Sequence, residues 1–278
     1  MASVTQLQRI ACRVRKKLLR TIHSAGGGHT GGSLSSADIL VALFFHAMQY
    51  SSQEKDPNRD RFILSKGHSV EGYYAVLAEA GFLRSEELES YGRFDSRLFG
   101  HPTMKVPGVE VPTGALGHGL PVGLGMALAG SRDGAAYRVF VVMGDGEQAE
   151  GSVWEAAMAA SHYQLGNLIA IIDHNKLQIS GEVDQVMTVS SLHDRWSSFG
   201  WHVEEIDGND MGNLVTCLDN LPRGGNRNKP TLILAHTVKG KGVSFMENNP
   251  IWHHRVPKDD ELSRALEELD SGICGAAS

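Results

Sequence analysis

Residues 137–181 read YRVFVVMGDGEQAEGSVWEAAMAASHYQLGNLIAIIDHNKLQISG, and no other stretch limits the fold as much. Residues 137–143 and 168–173 are apolar, β-branched runs of strand length. A helical pattern over about 148–165 separates them, with Val153, Trp154, Ala157, Met158 and Ala160 as its apolar positions. Strand, helix and strand in that order predict two parallel strands joined by a right-handed crossover. Asp145 leaves the first strand and Asn175 the second, so both fall at the carboxyl edge of the sheet, where open α/β sheets bind ligands. Gly144 and Gly146 clear the way for a backbone amide to approach a phosphate, and the next helix points its N-terminus there. A carboxylate and an amide oxygen are hard ligands that suit Mg²⁺ or Ca²⁺ and suit zinc poorly. Taken alone, Gly-Asp-Gly also fits a tight turn; what sets it apart is the Asn175 that follows one crossover later.

The remaining chain supports an α/β fold, a parallel sheet covered by helices on both faces. Residues 4–25 predict an amphipathic helix, with Ile10, Val14, Leu18 and Ile22 four apart. Seven residues, GGGHTGG, follow at 26–32 and predict a backbone that passes close to something else. Ser33 or Ser35 is expected to cap the next helix, which runs to about Tyr50. Strands are expected at 61–65, 201–206 and 231–236, with a possible extended piece at 109–111, a small charged helix near 86–91 and a polar helix over 259–269. Residues 51–60 and 221–229 are expected loops, the second not a domain linker. The helix carrying Gly123 and Gly125 is expected to pack closely on another helix or subunit.

At 278 residues the chain can bury a substantial core, and its net charge of −6 argues against general binding to nucleic acid or an anionic membrane. No apolar run approaches a membrane span and the first twenty residues lack a secretion signal's apolar stretch, so a cytoplasmic location is expected. Cys12, Cys217 and Cys274 lie far apart and are expected to be free thiols.

His29, His68, His101 and His118 each follow a glycine. A single histidine is usually an ordinary surface or core residue; four in one context point to shared work. Neutral imidazoles bind hydroxyls and move protons near neutrality. Their spacing does not fit a helical zinc pair. His23, His46, His162 and His202 lie in predicted helices or strands and carry no assigned function.

Five ordered pieces now stand together: SAGGGHTGGSLSSADIL, RFILSKGHSVEGYYAVLAEAGFL, GHPTMKVPGVEVPTGALGHGL, the Gly-Asp-Gly block and WHHRVP. With them the chain resembles the N-terminal, diphosphate-binding part of transketolase over nearly its whole length. That resemblance implies a single thiamine diphosphate-binding domain over residues 1–278 with a short C-terminal extension. It implies thiamine diphosphate and Mg²⁺, with Ca²⁺ or Mn²⁺ as substitutes, and transfer of a two-carbon ketol unit from a ketose, expected to be a sugar phosphate, to an aldose. By resemblance Asp145, Asn175 and the Leu177 carbonyl bind the metal. Gly146, His68, His253 and Lys239 serve the diphosphate, and Gly114, Ala115 and Leu116 the aminopyrimidine. His29, His101 and His253 line the substrate channel as catalytic residues; His253 is preferred to His254, which falls where the family has glycine. Glu150 and Glu155 are either surface acids or buried carboxylates near a subunit interface. Thr30 stands where the family has proline and His118 where it has glutamine, which admits an unusual, non-phosphate ketose.

The family's pyrimidine-binding and C-terminal domains find no counterpart in this sequence. The resemblance therefore implies one half of a split enzyme, active only with a second subunit carrying those domains, in a heterotetramer of two plus two. Two other readings stay open: the α subunit of a thiamine diphosphate-dependent 2-oxo acid dehydrogenase, and a non-catalytic diphosphate-binding module.

Overall fold

A computed structural model describes residues 2–50, 56–188, 191–221 and 228–272. Most of the expected loops at 51–60 and 221–229 lies outside the described residues, as does Cys274.

Helix α1 is Val4–Ala25. Ser3 and Gln6 form a reciprocal capping box at its start, and Gly26, at φ 66°, ends it in the left-handed region. The single helix expected up to Tyr50 is instead three pieces: α2 (Thr30–Ser35), α3 (Ala37–Ala42) and a π-helical turn, Leu43–Ala47. The Ser35 and Ser36 hydroxyls both donate to the Gly32 carbonyl and so compete with the helix ladder at the break. Neither Ser33 nor Ser35 caps; the helix starts earlier, within the glycine-rich run.

Next come β1 (Arg61–Leu64), α4 (Val70–Glu79), α5 (Gly119–Asp133), β2 (Val139–Gly144), α6 (Gly151–His162) and β3 (Leu168–His174). A small hairpin of β4 (Leu177–Gln178) and β5 (Gly181–Glu182) leads to α7 (Val183–Val186) and α8 (Leu192–Ser198). The chain closes with β6 (His202–Asp207), α9 (Met211–Asp219), β7 (Thr231–His236) and α10 (Asp259–Ser271). The charged helix expected near 86–91 is 3₁₀, Ser85–Ser90. Residues 109–111 form no strand; the Tyr50 and Tyr73 hydroxyls hold the preceding Gly108 carbonyl instead.

Five strands make one sheet in the order β1-β2-β3-β7-β6, parallel throughout. Side chains alternate across it into two cores. Phe62, Phe140, Val142, Ile169, Ile171 and Ile233 face one side, where α1, α3, α4 and α9 supply Leu18, Leu40, Val76 and Leu214. Val139, Val141, Met143, Ala170, Ile172 and Leu234 face the other, with Ala127 of α5, Val153 of α6 and Trp196 of α8. Both faces of the central strands β2, β3 and β7 are thus buried, which is why they are almost wholly apolar, whereas the edge strand β6 carries Glu204, Glu205 and Asp207. Gly123 packs on the sheet rather than on a helix, because a Cβ there would sit 2.6 Å from Val141; Gly125 faces open space.

The ends of the chain meet, since α1 packs against α10 and the Cys12 sulfur lies 3.4 Å from the Leu269 carbonyl. Cys217 is free as expected, whereas Cys12 is disulfide-bonded and not the free thiol expected. No described helix is long and apolar enough to cross a membrane.

One buried ion pair ties these layers together. Arg15 on α1 grips Asp38 on α3 through both ends of its guanidinium, at 3.0 and 2.6 Å, and also donates to the Lys241 carbonyl. Asn209 donates to the same carboxylate. Asp38→Ala would strand a buried guanidinium, so urea unfolding should show a loss of about 3 kcal/mol or more. An unchanged midpoint would mean that water already reaches the pair.

Candidate active site

Because every strand of the large sheet runs the same way, its carboxyl edge collects the loops. The register sets Gly144 beside Asp173 and Asp173 beside Ala235. Asp173, fully buried, closes β3 and is the hub of this edge. It accepts from Ser35 at 2.7 Å, from Lys66 just past β1, and from Thr237 just past β7. Lys66 is itself buried and also donates to the Gly32 carbonyl at 3.2 Å. Neither residue belongs to the set expected from sequence. The available signals were a lysine immediately after a strand and an acid ending the otherwise apolar run LIAIID.

Asp145, Asn175 and Leu177 stand together beside this hub. Asp145 accepts from the Gly146 amide at 2.8 Å and from the Lys176 amide. Lys176 adopts φ 64°, unusual for a residue with a Cβ, and this sharp turn brings Leu177 back toward Asp145. Asn175 accepts from the Leu177 amide at 3.1 Å. The Leu177 carbonyl accepts from Lys239 Nζ at 3.2 Å, so an ammonium already addresses one of the three oxygens. A carboxylate, an amide and a backbone carbonyl form a donor set for a hard divalent cation.

Four of the predicted histidines, and a fifth, converge above them. The His29 ring lies 5.6 Å from His68, 6.1 Å from His101, 5.6 Å from His253 and 4.2 Å from His254, centre to centre. His68 stacks on His253 at 5.6 Å. Burial, then Lys66, hold His68 well below the usual imidazole range. Burial, then Lys239, push His253 down to about 3, and Lys239 Nζ lies 3.0 Å from its Nδ1. Burial, then His29, lower both His101 and His254. Burial, then Lys66, lower Lys239 to about 8. At neutral pH these four shifted imidazoles are uncharged hydrogen-bonding groups. His118 stands apart, exposed at the start of α5 with Nδ1 3.1 Å from the Leu116 carbonyl. His23, His46 and His202 lie against Asp259, Asp219 and Glu204.

Glycines shape the walls. A Cβ on Gly31 would lie 3.1 Å from Lys239 and 3.2 Å from the Trp252 carbonyl, so the glycine run does pass close to a neighbouring loop. Gly114, at φ 143°, leaves no room for a Cβ against His101, and one on Gly146 would meet Gln178 at 2.6 Å. Of the glutamates that follow Gly-Asp-Gly, the buried one is Glu147, a residue the sequence did not single out. It accepts from Ser65, from the Gly117 amide at 2.8 Å and from the Gly144 amide at 3.0 Å. Burial raises its pKa, against those hydrogen bonds. Glu150 and Glu155 are exposed in this chain.

Gly32, Lys66, His68, Gly114, Leu116, Asp145, Gly146, Asn175, Leu177, Lys239 and His253 line one cavity of about 470 Å³, while Ala115 lies just outside its lining. A larger cleft of about 1040 Å³ shares Asn175 and Leu177 but adds Glu182, Asp184 and Glu205, which repel an anion. The smaller cavity fits a diphosphate and its cation: two lysines, three oxygen donors and glycines whose missing Cβ atoms leave the space.

Fold and cavity together define a thiamine diphosphate-binding α/β domain. Residues 7–271 match the family model described as transketolase, thiamine diphosphate binding domain, and the chain belongs to the transketolase family. It is 48% identical to an apulose-4-phosphate transketolase subunit from Phocaeicola vulgatus, over 93% of this chain and 92% of that one. It is 39% identical to the SqwG subunit of a 6-deoxy-6-sulfo-D-fructose transketolase from Clostridium, over 95% and 96%. Human transketolase is 40% identical over 96% of this chain, which spans 42% of that protein. Among solved structures, Pichia stipitis transketolase superposes with a TM-score of 0.89 at 30% identity, over 98% of this chain and 41% of that one. The chain is a transketolase-type enzyme subunit of the N-terminal kind found in split forms, and the 2-oxo acid dehydrogenase and non-catalytic readings fall away.

Two tests follow from the geometry. Asp173→Asn should remove the charge that Lys66 is buried against and lower unfolding stability by about 3–5 kcal/mol; denaturant titration within error of wild type would contradict the pair's role. Acid should also weaken the fold. His253 is neutral in the folded chain down to about 3, whereas an unfolded imidazole takes up its proton near 6.5. Its contribution is therefore complete above 6.5 and lost as pH falls below it. The melting temperature should drop between pH 6.5 and 5, less steeply in His253→Gln; equal slopes would show that His253 is not the group responsible.

Proposed function

We propose that this chain, as one domain with a short C-terminal extension, is the diphosphate-binding half of a two-chain transketolase. The observation that carries the reading is the meeting of Asp145, Asn175 and the Leu177 carbonyl with Lys66, Lys239, His68 and His253 in one cavity. Asp145, Asn175 and Leu177 would hold Mg²⁺, with Ca²⁺ or Mn²⁺ as substitutes. Lys239, His68, His253 and the Gly146 amide would hold the diphosphate, Lys66 adding positive charge behind them. Gly114, Ala115 and Leu116 would meet the aminopyrimidine. When bound, thiamine diphosphate supplies the carbon nucleophile for cleaving and re-forming a carbon–carbon bond. His29, His101 and His253 would bind substrate hydroxyls and carry protons, work that suits uncharged imidazoles.

The partner would carry the pyrimidine-binding and C-terminal domains, in a heterotetramer of two plus two. Supporting this, relatives of this chain's length are named as subunits, and single-chain transketolases extend well beyond the part it matches. The substrate would be a ketose with an anionic group at its far end, in keeping with the two relatives' names. Such metabolites do not cross membranes unaided, so the enzyme would be cytoplasmic.

Mixing the chain with its partner subunit, thiamine diphosphate and Mg²⁺, and assaying apulose 4-phosphate, 6-deoxy-6-sulfofructose and xylulose 5-phosphate as donors, tests the reading. Activity should need both chains; robust turnover by this chain alone would sink it. Asn175→Ala should weaken Mg²⁺ and cofactor binding at least about tenfold. His29→Ala should instead lower kcat about 10²-fold with cofactor affinity kept. The reverse pattern would refute the assignment.

A further inference from the structure

Glu71, fully buried in the first turn of α4, has no part in the cavity described above, yet everything around it leads to His29. One carboxylate oxygen, Oε1, accepts from the His29 backbone amide at 3.0 Å and from the Tyr91 hydroxyl at 2.7 Å. The other accepts from the Ser33 hydroxyl at 2.8 Å. The His29 ring nitrogen Nδ1 lies 3.8 Å from Oε1, beyond a direct hydrogen bond, and is buried with no other partner. Burial opposes ionisation of Glu71, but the His29 and Tyr91 contacts outweigh it and hold the carboxyl below its usual range.

Backbone geometry protects the arrangement. A Cβ on Gly28, at φ 150°, would sit 2.7 Å from Oε1. On the far side of His29, the Thr30 hydroxyl donates to the Arg255 carbonyl at 2.8 Å, which ties the segment to the His253–His254 loop. His29 is thus held from both sides, with a carboxylate facing one ring nitrogen and four imidazoles packed around the ring.

A carboxylate accepts and cannot donate, so the negative charge 3.8 Å away favours a proton on the nitrogen that faces it. We propose that Glu71 is a positioning residue that holds His29 as the Nδ1–H tautomer and leaves Nε2 as the proton acceptor. The consequence for turnover rests on the role given to His29 under the proposed function; the tautomer does not. The partner at Nδ1 decides which nitrogen is free to take a substrate proton, and a wrong tautomer disables a base whose position is otherwise intact.

The test uses the full chain labelled with ¹⁵N-histidine. Long-range ¹H–¹⁵N correlation separates the protonated from the bare ring nitrogen, and His29→Gln assigns the signals. Wild type should show His29 in the Nδ1–H form. In Glu71→Gln, which removes the carboxylate's charge, that preference should be lost. In the reconstituted complex Glu71→Gln should lower kcat about 10²-fold, with thiamine diphosphate affinity unchanged. An Nε2–H or mixed signal in wild type overturns the proposal, with no variant needed. A preference kept in Glu71→Gln overturns it too. Loss of the preference while kcat is unmoved in both Glu71→Gln and His29→Ala supports the positioning and overturns the catalytic role of His29.

Discussion

The buried pair of Lys66 and Asp173 is the contact on which the carboxyl edge depends. Neither charge reaches water, so each needs the other and the hydrogen bonds around them. Asp173 gathers α2 through Ser35, β1 through Lys66 and the end of β7 through Thr237. Lys66 returns the hold by binding the Gly32 carbonyl. Removing either partner would leave an isolated charge where three loops meet. A contact that costs so much to break makes a rigid floor for the cavity above it.

That floor also sets the electrostatics of the histidines. Two buried ammonium groups, Lys66 and Lys239, lie under rings that are themselves removed from water. Both effects disfavour imidazolium, so His68 and His253 stay neutral and can donate one proton and accept another. Positive charge is thus concentrated at the floor of the cavity, beside uncharged donors and acceptors. Glu71 adds a buried carboxylate beside this cluster, facing Nδ1 of His29.

Much of this was legible in the sequence because it is local. The strand–helix–strand block, Asp145 and Asn175 at the strand ends, and the capped, four-spaced helix α1 follow from runs of neighbouring residues. Four glycine–histidine pairs signalled a shared role, and three of them do meet, with His118 left outside. Local patterns misled where side chains compete with the backbone, as Ser35 and Ser36 do in breaking the expected helix. They also misled at Gly123, where the close neighbour is a side chain of strand β2, brought in from further along the chain.

By itself, then, the sequence determined the α/β class, most strand and helix positions, the place of Asp145 and Asn175 at the carboxyl edge of the sheet and the glycines that open the cavity. Each of these rests on spacing within one element or on chemistry that a single residue carries. Only the tertiary structure decided the strand order, the Lys66–Asp173 hub, the burial of Glu147, the approach of His254 to His29, and the placing of Glu71 behind that ring. Lys66 and Asp173 are 107 residues apart, and Glu71 and His29 are 42 apart. Whether a buried charge finds its partner depends on how the sheet brings loops together, and no local pattern of residues records that.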